Sequence, residues 1–124
     1  MNNTIIKTTV IDGQNCLKFI FKGVFTHQDA VEASIEWQRY FKDHPQKMNV
    51  IFDASLMSNY EPMARATWQK TLSVLKNQID SVWVITDSKI IAAGAKLMGV
   101  FTSFSIKAVG SQEKIVFQKE PQAA

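Results

Sequence analysis

The spacing at which apolar residues recur is two at the amino end, becomes about 3.6 after residue 26, and then changes back and forth to the end of the chain. Residues 4–11 and 16–25 are rich in β-branched and aromatic side chains and flank Asp12-Gly13-Gln14-Asn15, which predicts a hairpin with Gly13 in its turn. In the second segment Leu17, Phe19 and Phe21 alternate with Lys18, Ile20 and Lys22, so one face points to a core and the other is partly wet. Thr26 stands three residues before Asp29, a capping box with Asp in place of Glu, and predicts a helix from about His27 to Lys42 that His44-Pro45 stops. Ala30, Ala33, Ser34, Trp37 and Phe41 fall on one side of that helix, the width needed to lie on a sheet.

Residues 48–52 are nearly all apolar, as a central strand covered on both faces must be, and Asp53 closes them. A polar loop over 55–61 is expected next. Pro62 then suits a first helical turn, with Glu61 at the positive end of the dipole. This helix should reach about Asn77, turning Ala64, Trp68, Thr71, Leu72, Leu75 and Ile79 inward and Arg65, Gln69, Ser73 and Lys76 outward. A fourth strand at 81–86 leads through Asp87-Ser88 into a third helix at 89–102, and a short strand follows at 105–109. On the third helix Ile90, Gly94, Leu97, Met98 and Phe101 make the expected core stripe, opposite Ala92, Ala95 and Gly99 with Lys89, Lys96 and Ser103. Residues 111–119 fit a short helix or an extended arm, and 119–124 are expected to fray. The order β-β-α-β-α-β-α-β predicts one α/β domain over residues 1–124, with a mixed sheet of about five strands.

A chain of 124 residues is the size of one domain, and 46% hydrophobic with 20% charged residues is ordinary for a soluble fold. No apolar run is long enough to cross a bilayer, and the opening MNNTIIKTTV lacks the order of a secretion signal, so a cytoplasmic, non-transmembrane protein is expected. Cys16 is the sole cysteine, which excludes an internal disulfide and a cysteine-rich metal site. The net charge is +3, but lysines and acids are interspersed without a basic stripe. Nucleic acid is therefore not an expected partner.

The element order, with a strand–Asp–loop–helix unit at its centre, resembles the STAS domain, the fold of bacterial anti-sigma-factor antagonists. The resemblance covers nearly the whole chain. It is closest to the divergent STAS-like branch of small stand-alone bacterial proteins, through Val50-Ile-Phe-Asp-Ala-Ser55 and Ser81-Val-Trp-Val-Ile-Thr-Asp87. Phosphoregulated members carry Asp-Leu-Ser, a spacer, and Asp-Ser-Ser/Thr-Gly at the mouth of the next helix, where a serine takes the phosphate. Here Asp53-Ala54-Ser55 is followed by Glu61-Pro62-Met63-Ala64, which puts Pro62 or Met63, neither with a hydroxyl, at the acceptor position. The resemblance thus implies that the usual phosphoswitch is absent, with Ser55 and Ser58 as the nearby hydroxyls.

Candidate chemistry is sparse. His27 and His44 are far apart and have no metal-ligand spacing. Asp53, Glu61 and Asp87 are the acids that parallel strand ends could gather, although Asp at a strand end commonly caps the adjacent turn. Gly94-Ala-Lys-Leu-Met-Gly99 is followed by Val100-Phe101 where a phosphate loop needs Lys and Ser or Thr. No catalytic set, cofactor or metal is expected. Met57, Tyr60 and Met63 form an adaptable apolar group that is either a partner surface or a lid on the core. The leading expectation is a non-catalytic regulatory module that binds an unidentified protein through Asp53, Ser55, Met57, Ser58, Tyr60, Glu61, Met63 and Arg65, with Ser88 and Lys89 of the third helix. The alternative is a binder of an apolar small molecule or lipid between sheet and helix, which the resemblance also implies. The first strand leaves an edge at which a second copy could pair.

Overall fold

Asp12 and Gly13 both hold left-handed backbone, with φ of 52° and 76°, the conformation of a two-residue hairpin turn whose twist matches that of its strands. They join β1 (Thr4–Ile11) to β2 (Gln14–Phe25) in an antiparallel ladder that pairs Ile11 with Gln14. The computed structural model describes residues 3–117, so the expected fraying of 119–124 lies outside the described residues. The later elements are α1 (His27–Asp43), β3 (Met48–Tyr60), α2 (Pro62–Val74), β4 (Ile79–Ile85), α3 (Lys89–Thr102) and β5 (Lys107–Val109). This is the α/β order expected.

The sheet runs β1-β2-β3-β4-β5, and every neighbouring pair after the hairpin is parallel. Strands added in one direction through right-handed crossovers place every crossover helix on the same face. The burial agrees. Leu17, Phe19, Phe21, Val50, Phe52, Val82 and Val84 form one core with Ala30, Ala33, Trp37 and Phe41 of α1, Ala64, Trp68 and Leu72 of α2, and Ile91, Ala95 and Met98 of α3. At its centre Trp37 lies 4.9 Å from both Phe19 and Trp68, ring centre to ring centre. Thr71 and Ser34 join α2 to α1 by a buried hydroxyl–hydroxyl hydrogen bond of 2.8 Å.

The opposite face carries a smaller cluster of Cys16, Ile51, Trp83 and Ile85, covered by Ile115 and Phe117. A single 3-10 turn, Gln112–Lys114, leads the chain there. Lys18 holds it in place, with Nζ donating to Gln112 Oε1 at 2.7 Å and lying 3.5 Å from Asp53 Oδ2. Burial pushes the Cys16 thiol above its ordinary pKa, so folding favours the neutral form. That contribution is full below the unfolded thiol's pKa and is lost as pH rises through the raised one.

Both halves of the capping box form at α1. Thr26 Oγ1 accepts from the Asp29 N–H at 3.1 Å, and an Asp29 carboxylate oxygen accepts from the Thr26 N–H at 3.3 Å. Three expectations need correction. The α2 helix ends at Val74 and a 3-10 turn, Lys76–Gln78, completes the passage to β4. Residues 55–60 are not a loop: β3 runs on past Asp53 and stays paired to β2 as far as Phe25↔Tyr60. On α3 the buried stripe is Ile91, Gly94, Ala95, Met98, Gly99 and Thr102, whereas Ile90, Leu97 and Phe101 face solvent. The phase is set by close approach, because a Cβ on Gly94 would strike the Tyr60 hydroxyl and one on Gly99 the Phe104 carbonyl.

Candidate functional site

Two irregularities shape the far end of β3. Between the pairs Ile20↔Asp53 and Lys22↔Leu56 two residues of β3 face one of β2, and between Gly23↔Met57 and Val24↔Asn59 Ser58 is the extra residue. Bulges of this kind bend a strand and increase its twist. Asp53 braces the first bulge, since its Oδ1 accepts from the Ser55 N–H at 3.1 Å and from Ser55 Oγ at 2.6 Å. Gly23, at φ 68°, supplies a left-handed backbone opposite the second. Met57 and Tyr60, on either side of the second bulge, pack partly buried against the helical core.

They close one end of an apolar cavity of about 50 Å³. Its floor is Phe21, Phe25, Phe52, Ala54 and Val84 of the sheet, and its walls are Arg65 and Trp68 of α2 with Ile91, Gly94, Ala95 and Met98 of α3. Gly94 and Ala95 are small enough to leave the space open. Three lining residues carry polar groups. They are Tyr60, Arg65 and Trp68, although the surface the cavity presents is almost entirely carbon; Trp68 is 2% exposed and its Nε1 has no hydrogen-bond partner among the described residues. The Trp37 indole N–H is also unpartnered, but Trp37 does not line the cavity.

The candidate residues thus divide into separate neighbourhoods. Met57, Tyr60 and Arg65 meet at the cavity. Asp53 engages Lys18 on the opposite face of the sheet. Ser55 and Ser58 are exposed, as is Met63 in the first turn of α2. Glu61 makes no side-chain cap for α2; its Oε1 accepts the His27 N–H at the start of α1 at 2.7 Å, and its own N–H donates to Phe25 O at 3.0 Å. Ser88 caps α3 by accepting from the Ile91 N–H at 3.2 Å, Lys89 beside it is exposed, and Asp87 lies against Gly110 after β5. Asp53, Glu61 and Asp87 therefore do not converge. No group of three or more His, Cys, Asp or Glu among the described residues could hold a metal ion.

Sequence reasoning missed Trp68 as a cavity residue, having assigned it wholly to the core, and it missed Ile91 and Ala95 by placing α3 in the wrong phase, although Gly94 and Met98 were on the expected inward stripe. The signal that could have found them is the spacing of Gly94, Ala95 and Gly99, which continues Ile91 and Met98 into a stripe at i, i+3, i+4, i+7 and i+8.

A sheet ordered β1 to β5 with one layer of helices defines a two-layer α/β class, and comparison with solved structures gives the fold its name. Ten solved chains match, among them an uncharacterized protein of the DUF3478 family from Shewanella loihica PV-4, described as having a SpoIIAA-like fold. It is 13% identical with a TM-score of 0.72, over 91% of this chain and 90% of that one. This chain has the SpoIIAA-like fold, the fold of STAS domains. No family model and no curated protein matches the sequence. No helix among the described residues is long and apolar enough to cross a membrane.

Proposed function

We propose that this protein is a non-catalytic module of STAS type whose sheet–helix cavity holds a small apolar ligand. One observation carries the reading: β3 is extended and bulged so that Met57 and Tyr60 fold back over a space that α3 leaves open with Gly94 and Ala95. A core closed only for stability would be filled, since each methylene of void forfeits contacts. Native mass spectrometry after gentle purification, with titration by 1-octanol, tests it. A retained or saturable ligand is expected, and Ala95→Phe, which fills the space, should abolish it. A bare mass with no response to the alcohol would refute the reading.

A second reading keeps the protein partner and moves its surface. Met57 and Tyr60 are half-buried, whereas Ile90, Leu97, Val100 and Phe101 on the outer side of α3 are 74%, 38%, 76% and 65% exposed. Side chains of that size in one outward row favour recognition by another protein. Phe101→Asp should then remove a captured partner, while Tyr60→Ala should leave it bound.

A further inference from the structure

We infer, resting on the cavity reading above, that the ligand is a small amphiphile bearing a carboxylate, with its apolar end in the cavity and its carboxylate on Arg65. Arg65 is the one charged residue of the lining, and no carboxylate side chain is among the lining residues. A ligand whose head group is an amine would meet a like charge and no acid. An anionic acceptor would meet the Arg65 charge.

Arg65 itself is the stronger argument. It is the fourth residue of α2, where the helix dipole disfavours a cation and favours an anion. Its natural partner on the helix is Glu61, four residues before it, the orientation in which an acid and a base pair best. Glu61 is engaged elsewhere, on the His27 N–H at the start of α1. Arg65 consequently has no ion-pair or hydrogen-bond partner among the described residues, although it is half-buried at an apolar wall. The buried and unpartnered Trp68 N–H on the same helix is the second donor without an acceptor, three residues further on. A carboxylate at Arg65 answers the charge, and the helix dipole adds to its attraction.

The size of the space limits the apolar end. A water occupies roughly 10–15 Å³ on this measure, so the space as it stands takes the end of a chain, and the rest of the chain would lie along the cavity's open side. Met57 and Met98, unbranched and adjustable, border it and can yield to a somewhat longer chain. A carboxylate whose chain end enters the cavity while Met57 and Met98 give way fits these limits.

Octanoate, 1-octanol and octylamine share a tail and differ in head group. Their binding to the full chain would be followed by calorimetry, with the Trp68 indole N–H resonance as a local reporter. Octanoate is expected to bind about tenfold or more tighter than 1-octanol, the scale of a hydrogen bond to a charged group, and octylamine weakest. Octanoate should also move the Trp68 signal. In Arg65→Met octanoate should bind no more tightly than 1-octanol binds the same variant, with the variant's fold checked by its melting curve. Equal binding of octanoate and the alcohol, or an octanoate preference that survives Arg65→Met, would overturn the carboxylate inference while the cavity reading stood. Failure of all three to bind would remove both.

Discussion

Helices α1 and α3 lie on the same face of the same sheet and meet it in opposite ways. The inward stripe of α1 ends in Trp37 and Phe41, both fully buried; the Trp37 ring packs against Phe19, Phe52 and Trp68, and Phe41 packs against Trp37. The inward stripe of α3 carries Gly94, Ala95 and Gly99, and its large residues Ile90, Val100 and Phe101 stand in solvent. One helix therefore closes the core, and the other leaves a cavity beside Tyr60 and an apolar row outside. Apolar content alone is a poor guide to which side of a helix is buried. Volume on the inward side decides whether that part of the fold is filled or hollow.

The largest expected contrast comes from truncation. Trp37→Ala should cost about 3–5 kcal/mol in urea denaturation, as for other buried aromatic residues, and Phe101→Ala, outside α3, should stay within about 0.5 kcal/mol. Comparable losses at the two positions would dissolve the contrast between the helices. Next comes Gly99→Ala, expected to cost about 1–3 kcal/mol because the new Cβ would meet the Phe104 carbonyl, a backbone atom that cannot swing aside. Gly94→Ala strikes a side chain instead. Tyr60 can rotate away, and the gain of about 1 kcal/mol in helix propensity offsets much of the cost, so denaturation should change little while the Tyr60 ring resonances move. The smallest difference lies at the caps. Thr26→Ala breaks a reciprocal pair and should cost about 1 kcal/mol or more, whereas Ser88→Ala loses one bond and should cost about half as much.

Where signals were local, the sequence was legible. Asp12-Gly13 and Thr26…Asp29 encode their turn and cap within four residues, and the α1 stripe has one phase because its outward side, Val31 and Ile35 apart, is polar. The extension of β3 was not legible, since Ser55, Ser58 and Asn59 look like loop residues and two bulges interrupt the period of two. The phase of α3 was not legible either. That helix is apolar on most sides, and only Tyr60 and Phe104, distant or beyond its end, fix which side turns in. At the cavity, Met57, Tyr60 and Arg65 were singled out from the sequence. The diversion of Glu61 to His27, 34 residues away, and the unpartnered Trp68 N–H become visible only in three dimensions.

The tight reversal at Asp12-Gly13 bears on the order of assembly. Its ladder closes over two residues, whereas each parallel pair of strands has to wait for an intervening helix to span the gap. Chain-closure entropy makes the hairpin the earliest tertiary nucleus and the joining of β2 to β3 the slow event. In stopped-flow refolding, substitutions along the β2–β3 seam should therefore alter the observed rate more than equally destabilising changes at the hairpin turn.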